Sequence, residues 1–146
     1  MPLRQDVKGL SQTTPLYLFD TNIIIEIIRQ NQLIVAKIKQ LQQVNATYTI
    51  SSVTVGELFY GAYHSKRDVE EALQQVIAIT QSTTVISCNR ETGKQYGEIK
   101  ELLRVKGNMI PDNDIWIAAT SLQYNLTLVT RDAHFSHIEH ISIEQW

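Results

Sequence analysis

The sequence predicts an α/β fold: a mainly parallel sheet of four to five strands covered by helices on both faces. Two observations lead there. Short runs of β-branched, aromatic and aliphatic residues alternate along the chain with longer segments of helical periodicity. The short runs are also nearly continuous in apolar residues, as strands buried on both sides must be, and the segments between them are long enough for right-handed crossovers. At 146 residues the chain has the size of one domain with one sizeable core.

Residues 1–15 (MPLRQDVKGLSQTTP) are polar, aperiodic and closed by Pro15, which predicts a flexible arm ahead of a folded domain spanning 16–146. LYLF (16–19) is the first strand and a helical segment covers 21–43. TYTI (47–50) is the second strand, followed by a helical stretch over 53–80 with a break near His64 to Asp68. TVIS (84–87) is the third strand, and 89–106 is helical. Residues 114–124 form a helix because Ile115, Ala118, Ala119 and Leu122 fall at i, i+3, i+4 and i+7. LTLV (126–129) is the fourth strand and ISI (141–143) a weaker fifth.

Bulk properties narrow the function classes. Thirteen basic against fifteen acidic residues give a net charge of −2, so there is no global basic field and a polyanionic ligand would need local help. No apolar stretch approaches the roughly 20 residues that cross a bilayer, the N-terminus lacks an apolar core of signal-peptide length, and the single Cys88 cannot form an intrachain disulfide. A soluble, cytoplasmic protein with no membrane role is expected. The lack of a Gly-rich phosphate loop removes nucleotide-dependent readings.

Parallel sheets place their ligand crevice beyond the carboxyl ends of the strands, and here the chain places acids. Asp20 directly follows the first strand, and Asp132 lies three residues past Val129 at the end of the fourth. Glu57, in SSVTVGELFYG, sits about two turns into the helix after the second strand, and Asp114, in IPDNDIWIAA, opens the helix leading to the fourth. Each acid also has a purely structural reading. Asp20 fits an N-cap accepting from the Asn22 or Ile23 amide, Glu57 fits a capping box with Thr54, and Asp132 fits a turn residue. Asp112 and Asp114 both follow Pro111 at a helix start, where carboxylates suit the dipole; Asp112 takes the capping role and Asp114 the functional one.

Taken together, four like charges converging on one crevice persist ionised only with a cation between them. An all-oxygen ligand set suits Mg²⁺ or Mn²⁺ rather than zinc, and carboxylate-held Mg²⁺ commonly works on phosphates. Phosphodiester hydrolysis is the natural chemistry, with one or two metals activating water and neutralising the leaving oxygen.

The ordered set DTNIIIE, the GEL of VTVGELFYGA, PDNDIWIAA and LVTRDAHF resembles the four motifs of the PIN-domain nucleases, from about Tyr17 to Trp146. More narrowly, it resembles the VapC-type ribonucleases, the toxin half of bacterial toxin–antitoxin pairs. The resemblance implies a three-layer α/β/α sandwich, with Asp20 and Asp114 as principal metal ligands and Glu57 and Asp132 completing a catalytic acidic pocket. Thr21, Asn22 and Thr130 would orient the carboxylates. It further implies a Mg²⁺-dependent endoribonuclease (Mn²⁺ being the other fitting ion) acting on RNA, with tRNA one candidate class. Homodimerisation and inhibition by a small cognate antitoxin protein complete the implication. Two departures stand out: the long N-terminal arm, and Asp112 as an extra acid in the third motif.

Two rivals belong to other classes. One is a non-catalytic PIN-fold module binding RNA or a protein partner, which four intact acids disfavour. The other is a phosphatase or receiver-like phospho-acceptor, which would need a paired-acid first motif and a helper Lys that DTN and VTRD do not offer. His134, His137 and His140 read as surface residues near Asp132 rather than a zinc site. Arg90, Lys94, Lys100, Arg104 and Lys106, interspersed with Glu91, Glu98 and Glu101, read as a solvated helix face rather than an RNA-binding one. Cys88 reads as buried or half-buried. Leu58, Phe59, Tyr60 and Tyr63 are candidates for a dimer face, with core packing the more usual fate of such a set.

Overall fold

The computed structural model describes residues 16–146, so the arm expected over 1–15 lies outside the described residues. Five strands form one sheet: β1 (Leu16–Phe19), β2 (Thr47–Ser51), β3 (Thr84–Ile86), β4 (Thr127–Thr130) and β5 (Ser142–Gln145). Their order is β3-β2-β1-β4-β5, and every neighbouring pair is parallel. Between them run α1 (Thr21–Ile28), α2 (Gln32–Gln43), α3 (Ser52–Tyr63), α4 (Val69–Gln81), α5 (Arg90–Lys106) and α6 (Asp112–Tyr124), with a 3₁₀ turn at Ala133–His137.

The strand pleat sends successive side chains to opposite faces, and this builds three layers. Leu18 and Leu128 join Ile99 and Leu103 of α5 and Ile115 and Ala118 of α6 in one core. Their immediate neighbours Phe19 and Val129 join Ile23 and Ile24 of α1, Ile34 of α2, Leu58 of α3 and Val76 of α4 in the other. Each fully buried side chain of this size contributes about 1.5–3 kcal/mol of burial, so both helix layers are pinned to the sheet.

The topology decides where a site can form. From β1 the chain steps outward to β2 and β3, then returns to the other side of β1 to lay down β4 and β5. Connections therefore leave the β1/β4 boundary in opposite directions, and the crevice of such a sheet opens beyond the carboxyl ends of those two strands. The order also differs from the 2-1-3-4-5 arrangement of receiver-like folds.

Several boundaries differ from the sequence expectation by a residue or two, and three differences are informative. The single helix expected over 21–43 is two helices, because Gln30 adopts φ 58° and Asn31 caps α2 through Oδ1, 3.1 Å from the Leu33 amide and 3.4 Å from that of Ile34. Periodicity misses this break, since a side-chain cap competes with the helical backbone without disturbing the apolar spacing. The helix expected from 114 starts at Asp112, immediately after Pro111. The fourth strand runs one residue later than expected and so includes Thr130. The break expected near His64 to Asp68 is present, with Asp68 capping α4. Among the described residues no helix is long and apolar enough to cross a membrane.

The α1–α2 junction gives a paired test. Gln30 sits at the left-handed position that ends a helix, where glycine is favoured. Gln30→Gly is expected to raise unfolding stability by up to about 1 kcal/mol, and Asn31→Ala to lower it by about 1 kcal/mol, both read by urea denaturation.

Candidate active site

Asp20 follows β1 directly and is only 5% exposed. It caps α1 and faces the crevice at once, so the two readings of this residue are compatible. Its Oδ1 accepts from the Thr21 amide at 2.8 Å, rather than from Asn22 or Ile23, and its Oδ2 accepts from the Thr130 hydroxyl at 2.7 Å. Thr130 lies at the end of β4, and its Oγ1 also accepts from the Asp132 amide at 2.9 Å. The Thr21 hydroxyl donates to Glu57 Oε1 at 2.7 Å. The capping-box reading of Glu57 does not hold: α3 is capped by Ser51, which accepts from the Val53 amide at 3.1 Å.

Asp132 caps the 3₁₀ turn by accepting from the His134 amide at 2.9 Å. This folds His134 back so that its Nδ1 lies 3.1 Å from Asp132 Oδ1 and 3.2 Å from Asp114 Oδ2. The donor atoms of Asp114, Asp132 and His134 all fall within 4.8 Å of one another. A connected path thus runs from Glu57 through Thr21, Asp20, Thr130, Asp132 and His134 to Asp114. All four acids singled out in the sequence are brought to one crevice.

Other expectations resolve differently. Asp112 does not cap α6, whose N-cap is Pro111 with no side-chain bond; its carboxylate accepts from Tyr96 Oη at 2.9 Å and Lys100 Nζ at 2.8 Å. Those bonds, the one from Lys100 foremost, hold the Asp112 carboxyl below its usual range. Asn22 Oδ1 is buried with no hydrogen-bond partner, whereas the Thr21 and Thr130 hydroxyls each donate to a carboxylate. His134 was read as a surface residue beside Asp132 but also reaches Asp114. The available signal was the two-residue spacing of D-A-H after a strand, which a capped turn folds back on itself. Cys88 is exposed rather than half-buried, beside Ser52.

The electrostatics follow from the burial. Loss of hydration pushes the Asp20 carboxyl up to about 6; the Thr130 and Thr21 hydrogen bonds oppose this, while the charges of Asp114 and Glu57 add to it. Burial also raises Asp114, opposed by His134 and reinforced by Asp132 and Glu57. Ionising this group of acids is costly without a cation. The donor set, carboxylate oxygens with one imidazole beside them, fits a divalent metal ion.

Two grooves meet at Glu57. One, of about 890 Å³, extends from Thr21 past Ser52, Gly56, Tyr60 and Trp116. The other, of about 640 Å³, carries Arg29, Lys66 and Arg67. The aromatic set on α3 divides between fates: Leu58 is core, Phe59 packs against it, and Tyr60 and Tyr63 are 70% and 68% exposed. On α5, Arg104 pairs with Glu101, and Lys100 and Lys106 pair with Asp112 and Glu139, in keeping with a solvated face.

The raised Asp20 value has a signed consequence. Its folded value lies above the ordinary 3.8, so the folded state holds the proton more tightly, and the stability this gives fades as pH rises from about 4 to 6. In metal-free protein Asp20→Asn removes that loss. The stability of the variant minus that of the native chain is expected to grow by about 3 kcal/mol between pH 4 and pH 7, measured by urea unfolding in chelator.

Comparison with known proteins agrees with this architecture. The PIN domain family model matches residues 17–141. Ribonuclease VapC1 of Haemophilus influenzae (strain R2866) is 30% identical over 133 residues, 90% of this chain and 98% of that protein. Ribonuclease VapC2 of Rickettsia felis is 30% identical over 132 residues, again covering 90% and 98%. The crystal structure of VapBC2 from Rickettsia felis, bound to a DNA fragment from its promoter, superposes with a TM-score of 0.83 at 29% identity, covering 90% of this chain and 98% of that one. With the five-stranded parallel sheet and the four-acid crevice, these matches show that the chain belongs to the PIN-domain family, in its VapC-type branch of toxin ribonucleases.

Proposed function

We propose that this protein is a metal-dependent endoribonuclease that hydrolyses RNA phosphodiester bonds in the cytoplasm as the toxin of a toxin–antitoxin pair. The observation that carries this reading is the convergence of Asp20, Glu57, Asp114 and Asp132 at the β1/β4 crevice, with Asp20 buried and its carboxyl raised to about 6. The ribonuclease names of relatives 30% identical to this chain support the substrate class. The solved VapBC complexes support a small cognate antitoxin as the inhibiting partner. A homodimer is the proposed assembly, with the exposed Tyr60 and Tyr63 of α3 available for contact.

Asp20 and Asp114 would hold the divalent ion, Mg²⁺ or Mn²⁺, with Glu57 and Asp132 completing the acidic pocket. When bound, the ion supplies Lewis-acid polarisation of the phosphate and activation of the attacking water. The rest is work for the chain. Thr21 and Thr130 hold Glu57 and Asp20 in place by hydrogen bonds of 2.7 Å each, so that the carboxylates are oriented before substrate arrives. Glu57, only partly buried and at the meeting point of the two grooves, is placed to accept a proton from water. Arg29, Lys66 and Arg67 give the second groove the local positive charge that a net charge of −2 denies the molecule as a whole.

The test is incubation of purified protein with total cellular RNA in Mg²⁺, Mn²⁺ or chelator, with new ends mapped by sequencing. Discrete metal-dependent cuts are expected. Asp20→Asn and Asp114→Asn should fold normally and lose at least about 100-fold in cleavage rate. RNA binding without cleavage would support a non-catalytic module instead. Thr130→Val keeps the shape of the side chain but frees Asp20 Oδ2, and a drop of about tenfold in rate with normal folding is expected.

A further inference from the structure

We propose that His134 is a nitrogen ligand to the divalent cation of this site, forming with Asp114 and Asp132 a three-residue set that favours first-row transition ions over Mg²⁺. The inference rests on the metal-dependent reading above and adds to it a ligand outside the four acids.

The geometry carries it. A hydrogen bond between an imidazolium and a carboxylate is expected at about 2.7–2.9 Å, with the N–H aimed along one direction. His134 Nδ1 instead lies nearly midway between two carboxylates, 3.1 Å from Asp132 Oδ1 and 3.2 Å from Asp114 Oδ2. One N–H cannot point along both. Around an ion with ligands at about 2.1 Å, two ligands at right angles stand about 3.0 Å apart, close to both measured separations. All three donor atoms lie within 4.8 Å of one another, so modest side-chain movement brings them to one ion.

The fold also holds His134 there without using its ring. The His134 amide is tied to Asp132 Oδ1 at 2.9 Å, and the next residue, Phe135, is fully buried in the core with α6. The backbone is fixed on both sides while the side chain stays half exposed, its Nδ1 turned to the two carboxylates. His137 and His140, three and six residues on, do not share the cluster with Asp114 and Asp132. Imidazole is a poor ligand for Mg²⁺, which prefers oxygen, and a better one for first-row transition ions, least so for Mn²⁺ and increasingly along the series. A mixed nitrogen–oxygen set therefore shifts selectivity towards ions such as Mn²⁺.

The test uses the full chain, freed of metal by chelation, with Mn²⁺ as probe. Pulsed electron paramagnetic resonance of the bound ion is expected to show coupling to a ¹⁴N nucleus, lost in His134→Gln and retained in His137→Gln. Titration calorimetry is expected to show Mn²⁺ affinity falling about tenfold or more in His134→Gln and Mg²⁺ affinity changing far less, so that the ratio of the two collapses. Mn²⁺ that binds without ¹⁴N coupling, or coupling that survives in His134→Gln, overturns the ligand role and leaves the carboxylate site standing. No Mn²⁺ binding to the native chain overturns both.

Discussion

A 2.7 Å hydrogen bond from the Thr130 hydroxyl to Asp20 Oδ2 joins residues 110 apart in sequence, and the crevice is organised around it. It bridges the carboxyl ends of β1 and β4, the two strands from which the chain departs in opposite directions. The Asp20 amide donates to the Val129 carbonyl at 2.9 Å, so the ladder between these strands continues to the acid itself. Through Thr130 the same anchor reaches Asp132, and through the Thr21 amide and hydroxyl it reaches Glu57.

Helix ends make the concentration of charge tolerable. Asp20 caps α1, Asp132 caps the 3₁₀ turn and Asp114 lies in the first turn of α6, where unpaired amides and the positive end of the dipole favour a carboxylate. Local capping and convergence on the crevice are thus two uses of the same side chains. Helix ends do not fully offset desolvation and mutual repulsion, as the raised Asp20 and Asp114 carboxyls show. The imbalance is the physical mark of a candidate functional site.

Substrate recognition divides along the same lines. A molecule with a slight negative net charge could draw a polyanion to its acids only through local cations and through the divalent ion proposed for the site. On α5, Lys100 is already engaged with Asp112, beside a stacked pair of Tyr96 and Trp116 with ring centres 4.1 Å apart. Trp116 of that pair lines the first groove, while the cationic residues Arg29, Lys66 and Arg67 line the second.

Alternating apolar runs and helical periods were enough to read the α/β class and all five strands from the sequence, because burial on both faces leaves a dense apolar signature in each strand. The four acids were legible as well, since each follows a strand or opens a helix feeding one. Less legible were features that depend on side chains meeting across the chain. The α1–α2 break turns on a single Asn31 cap, and the one-residue shift of β4, which brings Thr130 into the sheet, turns on pairing with Gln145 of β5. The roles of Asp112, Cys88 and His134 were set by neighbours 12, 36 and 20 residues away. Sequence by itself determined the layers and the acids, because periodicity and residue type are local properties. Only the tertiary structure decided which of those acids and histidines share one crevice, because a 3 Å contact depends on how separate elements pack.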